Sequence, residues 1–171
     1  ILRNDGPGRI FHITSRVNWR RWHLFDERAK RQLARLIREE LAAFDVALLA
    51  YVFMANHFHL VIKSPEAMTF RRHTSRRTPG RHLRPWPKGH QNASVISQFM
   101  REIRRRLSKI RQSDLGLSGR FWEDDYDARP VRSVESLLVR IAYDHRNPIK
   151  AGIVDRAEQY VWSSARSWRF G

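Results

Sequence analysis

The 171-residue chain contains no cysteine. That excludes disulfides, thiolate metal sites and a cysteine nucleophile, and fits a cytosolic protein. No apolar run reaches membrane-spanning length. No secretory leader is read at the N-terminus, although a start at Ile1 suggests a trimmed chain. Acidic residues are scarce: 17 Asp plus Glu stand against 33 Lys plus Arg, a formal net charge of +16. Arginine dominates the basic set, and its planar fork suits phosphate better than the point charge of lysine. The expected partner is a polyanion, nucleic acid first, in a cytoplasmic, nucleoid-associated setting without membrane contact. An acidic protein or a membrane surface is the plainer alternative. Hydrophobic residues reach 42%, enough for one packed domain over 1–171.

The pattern of apolar residues predicts the order β-α-β-β-α-β-α. Residues 1–8 read as a loose arm. Ile10 to Val17 alternates, with Phe11, Ile13 and Val17 on one side and His12, Thr14 and Arg16 largely on the other. Asp26 is placed to cap a helix whose Ala29, Leu33, Leu36, Ile37 and Phe44 form one face. Val46 to Met54 is a short apolar run expected to be a strand buried on both faces. His57 to Lys63 is the third strand. Ser94 to Gln112 is a helix with Ile96, Phe99, Ile103, Leu107 and Ile110 inward, and Arg101, Arg104, Arg105 and Lys109 gathered elsewhere. Glu102 apart, those outer charges are all positive, which points to a phosphate-facing surface. Tyr126 to Val131 is a fourth strand. Ser133 caps a third helix, which Pro148 is expected to stop near Asn147. Tyr160, Trp162 and Trp168 are expected to dock on the body. The stretch 65–92 is rich in proline and basic residues and reads as an inserted loop. The first six elements match a β-α-β-β-α-β split plan.

Two histidines carry the chemistry. His57 and His59 lie two apart on a strand, so their rings share a face and can grip one cation. Tyr143 and Asn147 lie four apart on the third helix and project together. If that helix lies over the histidine strand, the set is complete for one reaction. The imidazoles and the Asn147 carbonyl oxygen hold a divalent cation that polarises a phosphodiester. The phenol then attacks phosphorus and leaves a phosphotyrosine and a free 3′-hydroxyl. Each part alone has a plainer reading: a half-buried histidine pair, a packing tyrosine, an asparagine turning the chain before proline. Their joint occurrence in a basic chain favours the chemistry.

The segment Met54-Ala-Asn-His-Phe-His-Leu-Val-Ile62 resembles the His-hydrophobic-His motif of single-tyrosine HUH transposases of the IS200-like superfamily. Tyr143-Asp-His-Arg-Asn-Pro-Ile-Lys-Ala-Gly-Ile-Val154 and Tyr160-Val-Trp-Ser-Ser164 resemble two successive blocks of the REP-associated branch. The resemblance implies an α+β, ferredoxin-like palm, an antiparallel sheet with helices on one face, plus a C-terminal helix carrying the nucleophile. It implies Mg²⁺ or Mn²⁺, and cleavage and joining of single-stranded DNA near hairpins. Tyr143 then maps to the nucleophile and Asn147 to a group near the metal. Tyr126 is a rival nucleophile, in a position where relatives have Tyr or Phe. Arg16, Arg101, Arg104, Arg105, Lys109, Arg120 and Arg146 are the candidate DNA contacts. Ala55 replaces a usual proline, and Asp144 replaces a usual apolar residue, which is expected to alter how the helix packs. Monomer and homodimer stay equally open. A domesticated hairpin-binding protein without chemistry is the alternative function. A different metalloenzyme ranks last, because no carboxylate set or third histidine stands at ligand spacing.

Overall fold

The computed structural model describes residues 6–66 and 94–168. Nearly all of the predicted 65–92 insertion lies outside the described residues, as do residues 1–5 of the predicted arm. Gly6 to Gly8 are not loose. Gly8 N–H donates to the Pro65 carbonyl at 3.0 Å, and Ser64 Oγ donates to the Gly6 carbonyl at 2.7 Å.

Four strands form one antiparallel sheet: β1 (Ile10–Arg16), β2 (Ala47–Phe53), β3 (His57–Lys63) and β4 (Asp127–Val131), in the order β2-β3-β1-β4. Two helices, α1 (Glu27–Phe44) and α2 (Val95–Leu115), cover one face. Asp26 caps α1 and Ser94 caps α2, each accepting from a backbone N–H three residues on. Phe11, Ile13, Phe58, Leu60 and Ile62 point from the sheet into the core that these helices close. The alternation that buries those residues turns His12, Thr14, Arg16, His57 and His59 to the opposite face.

A third helix, α3 (Val134–Lys150), lies on that opposite face. Ile141 and Leu137 pack there on Ala50 and Val61. This is the split β-α-β-β-α-β palm with a C-terminal helix across its open side. Pro148 does not stop the helix near Asn147; α3 runs to Lys150 with the proline inside. Proline removes the N–H that would bond the Asp144 carbonyl. The Asn147 side chain replaces it, with Nδ2 donating to that carbonyl at 3.1 Å and to the Tyr143 carbonyl at 3.2 Å.

The tail explains the Tyr-Val-Trp-Ser-Ser block. β2 is an edge strand, and residues 162–164 line its free side. Phe53 N–H donates to the Trp162 carbonyl at 2.9 Å, and Ser164 N–H to the Tyr51 carbonyl at 3.0 Å. Tyr160 Oη donates to the Phe53 carbonyl at 2.6 Å. Leu49 is an extra residue in the β2–β3 register, and its carbonyl accepts from Trp168 Nε1 at 2.9 Å. The edge is thereby satisfied rather than left to pair with another chain. The expected burial on both faces holds only for the second half of β2, since Ala47 is exposed.

Candidate active site

The β1–β3 register sets Arg16 opposite His57, Thr14 opposite His59 and His12 opposite Val61. The row of polar side chains on the α3 face is thus built by two neighbouring strands. His57 and His59 rings stand edge to face with centroids 5.0 Å apart. Asn56 orients His57. Its Nδ2 donates to the Arg20 carbonyl at 3.0 Å, so its Oδ1 faces His57 Nδ1 at 2.6 Å and accepts that proton. His57 Nε2 is then the nitrogen with a free lone pair. Burial, with the Arg16 charge adding, holds His57 down to about 4. His59 is held down to about 3, by burial first and then by His57, His12 and Arg16. Both rings are neutral at physiological pH, the form that ligates metal.

Tyr143 comes to this pair from α3. Its ring is edge-on to His59 with centroids 6.3 Å apart, and it is 45% exposed. The Lys150 ammonium lies over the same ring, 4.5 Å from its centroid. Asn147 follows one turn later, with its amide nitrogen engaged on the helix backbone as described.

Two residues enter that sequence reasoning missed as site residues. Asp144 is fully buried, at 0% exposure. His12 Nε2 lies 2.9 Å from Asp144 Oδ1, and His59 Nδ1 lies 3.6 Å from the same oxygen. An ionised carboxylate only accepts, so His12 Nε2 carries the proton. Burial pushes the Asp144 carboxyl up, and the hydrogen bond from His12 opposes that. Its other oxygen, Oδ2, is buried without a hydrogen-bond partner. The His12 and His59 rings stack at 5.3 Å. His12, His59 and Asp144 can together offer a metal three donor atoms within 4.8 Å of one another. A third histidine and a carboxylate are therefore present, brought together by the fold and not by sequence spacing. Strand alternation already put His12 on the face of Thr14 and Arg16. What it lacked was the β1–β3 pairing.

An orphaned carboxylate oxygen beside neutral imidazoles fits a divalent cation. His12, His59 and Asp144 bring donor atoms within reach of one ion, and the His57 ring stands against His59.

The remaining predicted residues are dispersed. Tyr126 donates from its hydroxyl to Ser97 Oγ at 2.9 Å and packs against the core under α1 and α2, on the sheet face away from the histidines. Arg105 pairs with Glu102 at 2.7 Å. Arg104 donates to the Asp124 carbonyl at 2.5 Å and lies over the Trp122 ring. The all-positive outer face of α2 is partly neutralised from α1, where Glu39 and Glu40 pair with Arg106. Arg101 and Lys109 are exposed on α2, and Arg146 is exposed on α3. Arg120 pairs with Asp124 at 3.1 Å. Of this set Arg16 is the one beside His57, with Glu123 4.0 Å away.

Residues 8–76 match the family model described as IS200-like transposase. No curated protein matches the chain. Among solved structures, the chain is similar to a REP-associated tyrosine transposase bound to a REP hairpin. That likeness has a TM-score of 0.69 at 17% identity and covers 98% of this chain and 82% of that one. A candidate transposase from Deinococcus radiodurans R1 aligns with a TM-score of 0.46 at 15% identity, over 80% of this chain and 89% of that one, a likeness too slight to carry weight. The resemblance read from the sequence therefore holds on two counts: residues 8–76 carry the IS200-like transposase pattern, and the chain has the fold of the REP-associated tyrosine transposase.

Proposed function

We propose that this protein nicks and rejoins single-stranded DNA near hairpins, with Tyr143 as the nucleophile. The observation that carries the reading is the Tyr143 ring standing edge-on to His59 from a helix of its own. The phenol oxygen bonds to phosphorus and the bond from phosphorus to the 3′-oxygen breaks. The phenol proton passes to solvent, and the leaving 3′-oxygen gains one. The products are a 5′-phosphotyrosine and a free 3′-hydroxyl, and reversal on a second 3′-hydroxyl joins strands.

His57 and His59, with Asp144 beside His59, would hold Mg²⁺ or Mn²⁺, and Asn147 is proposed as a further ligand. When bound, the cation supplies neutralisation of the phosphate charge. The chain's own residues do the rest. Asn56 fixes the His57 tautomer, His12 orients Asp144, and Thr14 Oγ1 lies 2.9 Å from His59 Nδ1 and holds that ring. Lys150 offers a positive charge beside the nucleophile's ring. The solved REP-associated relative was bound to a hairpin, which supports a hairpin substrate here.

The test is a denaturing gel with labelled single-stranded hairpins and Mn²⁺. A covalent adduct is expected, lost on chelation and in Tyr143→Phe. An adduct that persists in Tyr143→Phe and vanishes in Tyr126→Phe overturns the assignment. Salt-sensitive hairpin binding with no adduct under either metal makes the protein a binding module instead.

A further inference from the structure

Three large aromatic side chains stand in solvent within seven residues of chain: Trp19 at 80% exposure, Trp22 at 69% and Phe25 at 62%. They lie on the connection from β1 to α1. Exposed apolar rings gathered this closely mark a binding surface more often than chance. The backbone under them is unusual. Trp19 and Arg20 both adopt left-handed φ values, 56° and 53°, which non-glycine residues avoid. Such strain persists only where the surroundings hold it. Here they do. Val17 N–H donates to the Asn56 carbonyl at 2.8 Å, Asn18 N–H to the Phe121 carbonyl at 2.9 Å, and Leu24 N–H to the Ala55 carbonyl at 2.9 Å. Asn56 bridges the Arg20 carbonyl and His57, so the loop and the active site share one brace.

Charge selects the occupant. From Arg9 to Phe25 the chain carries no acidic residue, while Arg20 and Arg21 lie between Trp19 and Trp22 and Arg16 closes the strand before them. Among the described residues, Glu123 lies 4.0 Å from Arg16, and Asp144 meets His12 on the active-site face rather than at the rings. Rings interleaved with arginines suit single-stranded nucleic acid, whose bases stack while its phosphates meet guanidinium groups. A second copy of this chain would bring like charge to like charge.

Building on the proposed nicking activity, we propose that residues 18–25 form a stacking platform for the unpaired nucleotides that flank the hairpin beside the scissile phosphate. Trp19 and Trp22 bind bases, Arg20 and Arg21 bind their phosphates, and the Asn56 brace holds this platform in register with His57.

The test compares two DNA hairpins, one blunt and one with a short single-stranded tail, by fluorescence anisotropy, with adduct formation read on the same samples. The wild-type chain is expected to prefer the tailed hairpin, with tryptophan fluorescence quenched on binding. Trp19→Ala with Trp22→Ala should lower affinity for the tailed hairpin about tenfold or more and leave blunt affinity unchanged. Because both rings are exposed, the melting temperature should not move. Trp→Phe at both positions should keep most of the preference. Equal affinity of wild type and double variant for the tailed hairpin, with adduct formation intact, overturns the platform alone. A preserved tail preference without any adduct overturns the chemistry alone. A double variant that changes oligomeric state but not DNA affinity makes the rings a contact between copies, and overturns the platform.

Discussion

Tyr143 and Tyr126 were indistinguishable in chemical type, and their surroundings separate them. One ring, partly exposed, meets the buried His59; the other hydroxyl bonds Ser97 beneath the far face of the sheet. Tyr143→Phe is expected to abolish the covalent adduct while hairpin affinity changes less than about twofold. Tyr126→Phe should keep the adduct and lose about 1 kcal/mol of stability, the size of one hydrogen bond, measurable by denaturant unfolding. The histidines give a pH signature. His57 and His59 are held down to about 4 and about 3 in the folded chain, against an ordinary 6.5 when unfolded. Between those values the unfolded state binds more protons. Their contribution is whole above pH 6.5 and is lost as pH falls towards 4 and 3, by up to about 1.4 kcal/mol per pH unit for each ring. Asp144 acts in the opposite sense, since its raised carboxyl favours the folded state at low pH. Changing both histidines to glutamine should flatten the curve between pH 6.5 and 4, as read from unfolding midpoints.

At the scale of elements, α3 and the tail depend on a few capping bonds. Asn147→Ala leaves the Tyr143 and Asp144 carbonyls without the amide that substitutes for the missing Pro148 N–H. A loss of about 1 kcal/mol is expected, and Pro148→Ala should recover part of it by restoring the backbone donor. A fall in adduct yield beyond that recovered stability would support a role for Asn147 near the metal. Ser164 Oγ accepts from Tyr51 N–H at 2.9 Å and lies 2.9 Å from His145 Nε2, joining tail, edge strand and α3 at one atom. Ser164→Ala should therefore lower the melting temperature and raise hydrogen exchange along β2 together with the end of α3. Helix periodicity, strand alternation and the capping residues made these elements legible beforehand. The run of α3 past Pro148 was not legible, because the compensating donor is a side chain.

Across the whole molecule the charge of +16 is unevenly employed. Arg104, Arg105 and Arg106 on α2 are engaged with protein groups on the sheet face away from His57, whereas Arg16 stands beside it. Binding of single-stranded hairpins should weaken steeply with salt. Arg16→Gln is expected to reduce the slope of log affinity against log salt by about 0.7, the share of one phosphate contact on a single strand. Arg105→Gln should change it less. No described helix is long and apolar enough to cross a membrane.

Local physics explains what was determined without the fold. Side chains two apart on a strand share a face, and those four apart on a helix share a side, so His57 with His59 and Tyr143 with Asn147 were pairs from the outset. Apolar spacing likewise determined the split palm. Tertiary structure decided which pairs meet. The β2-β3-β1-β4 order carried His12 beside His59, and the packing of Ile141 on Val61 brought Asp144 down onto both. An acid that read as a change in helix packing became a buried carboxylate with one oxygen unclaimed, because its partners lie 132 and 85 residues away in the chain.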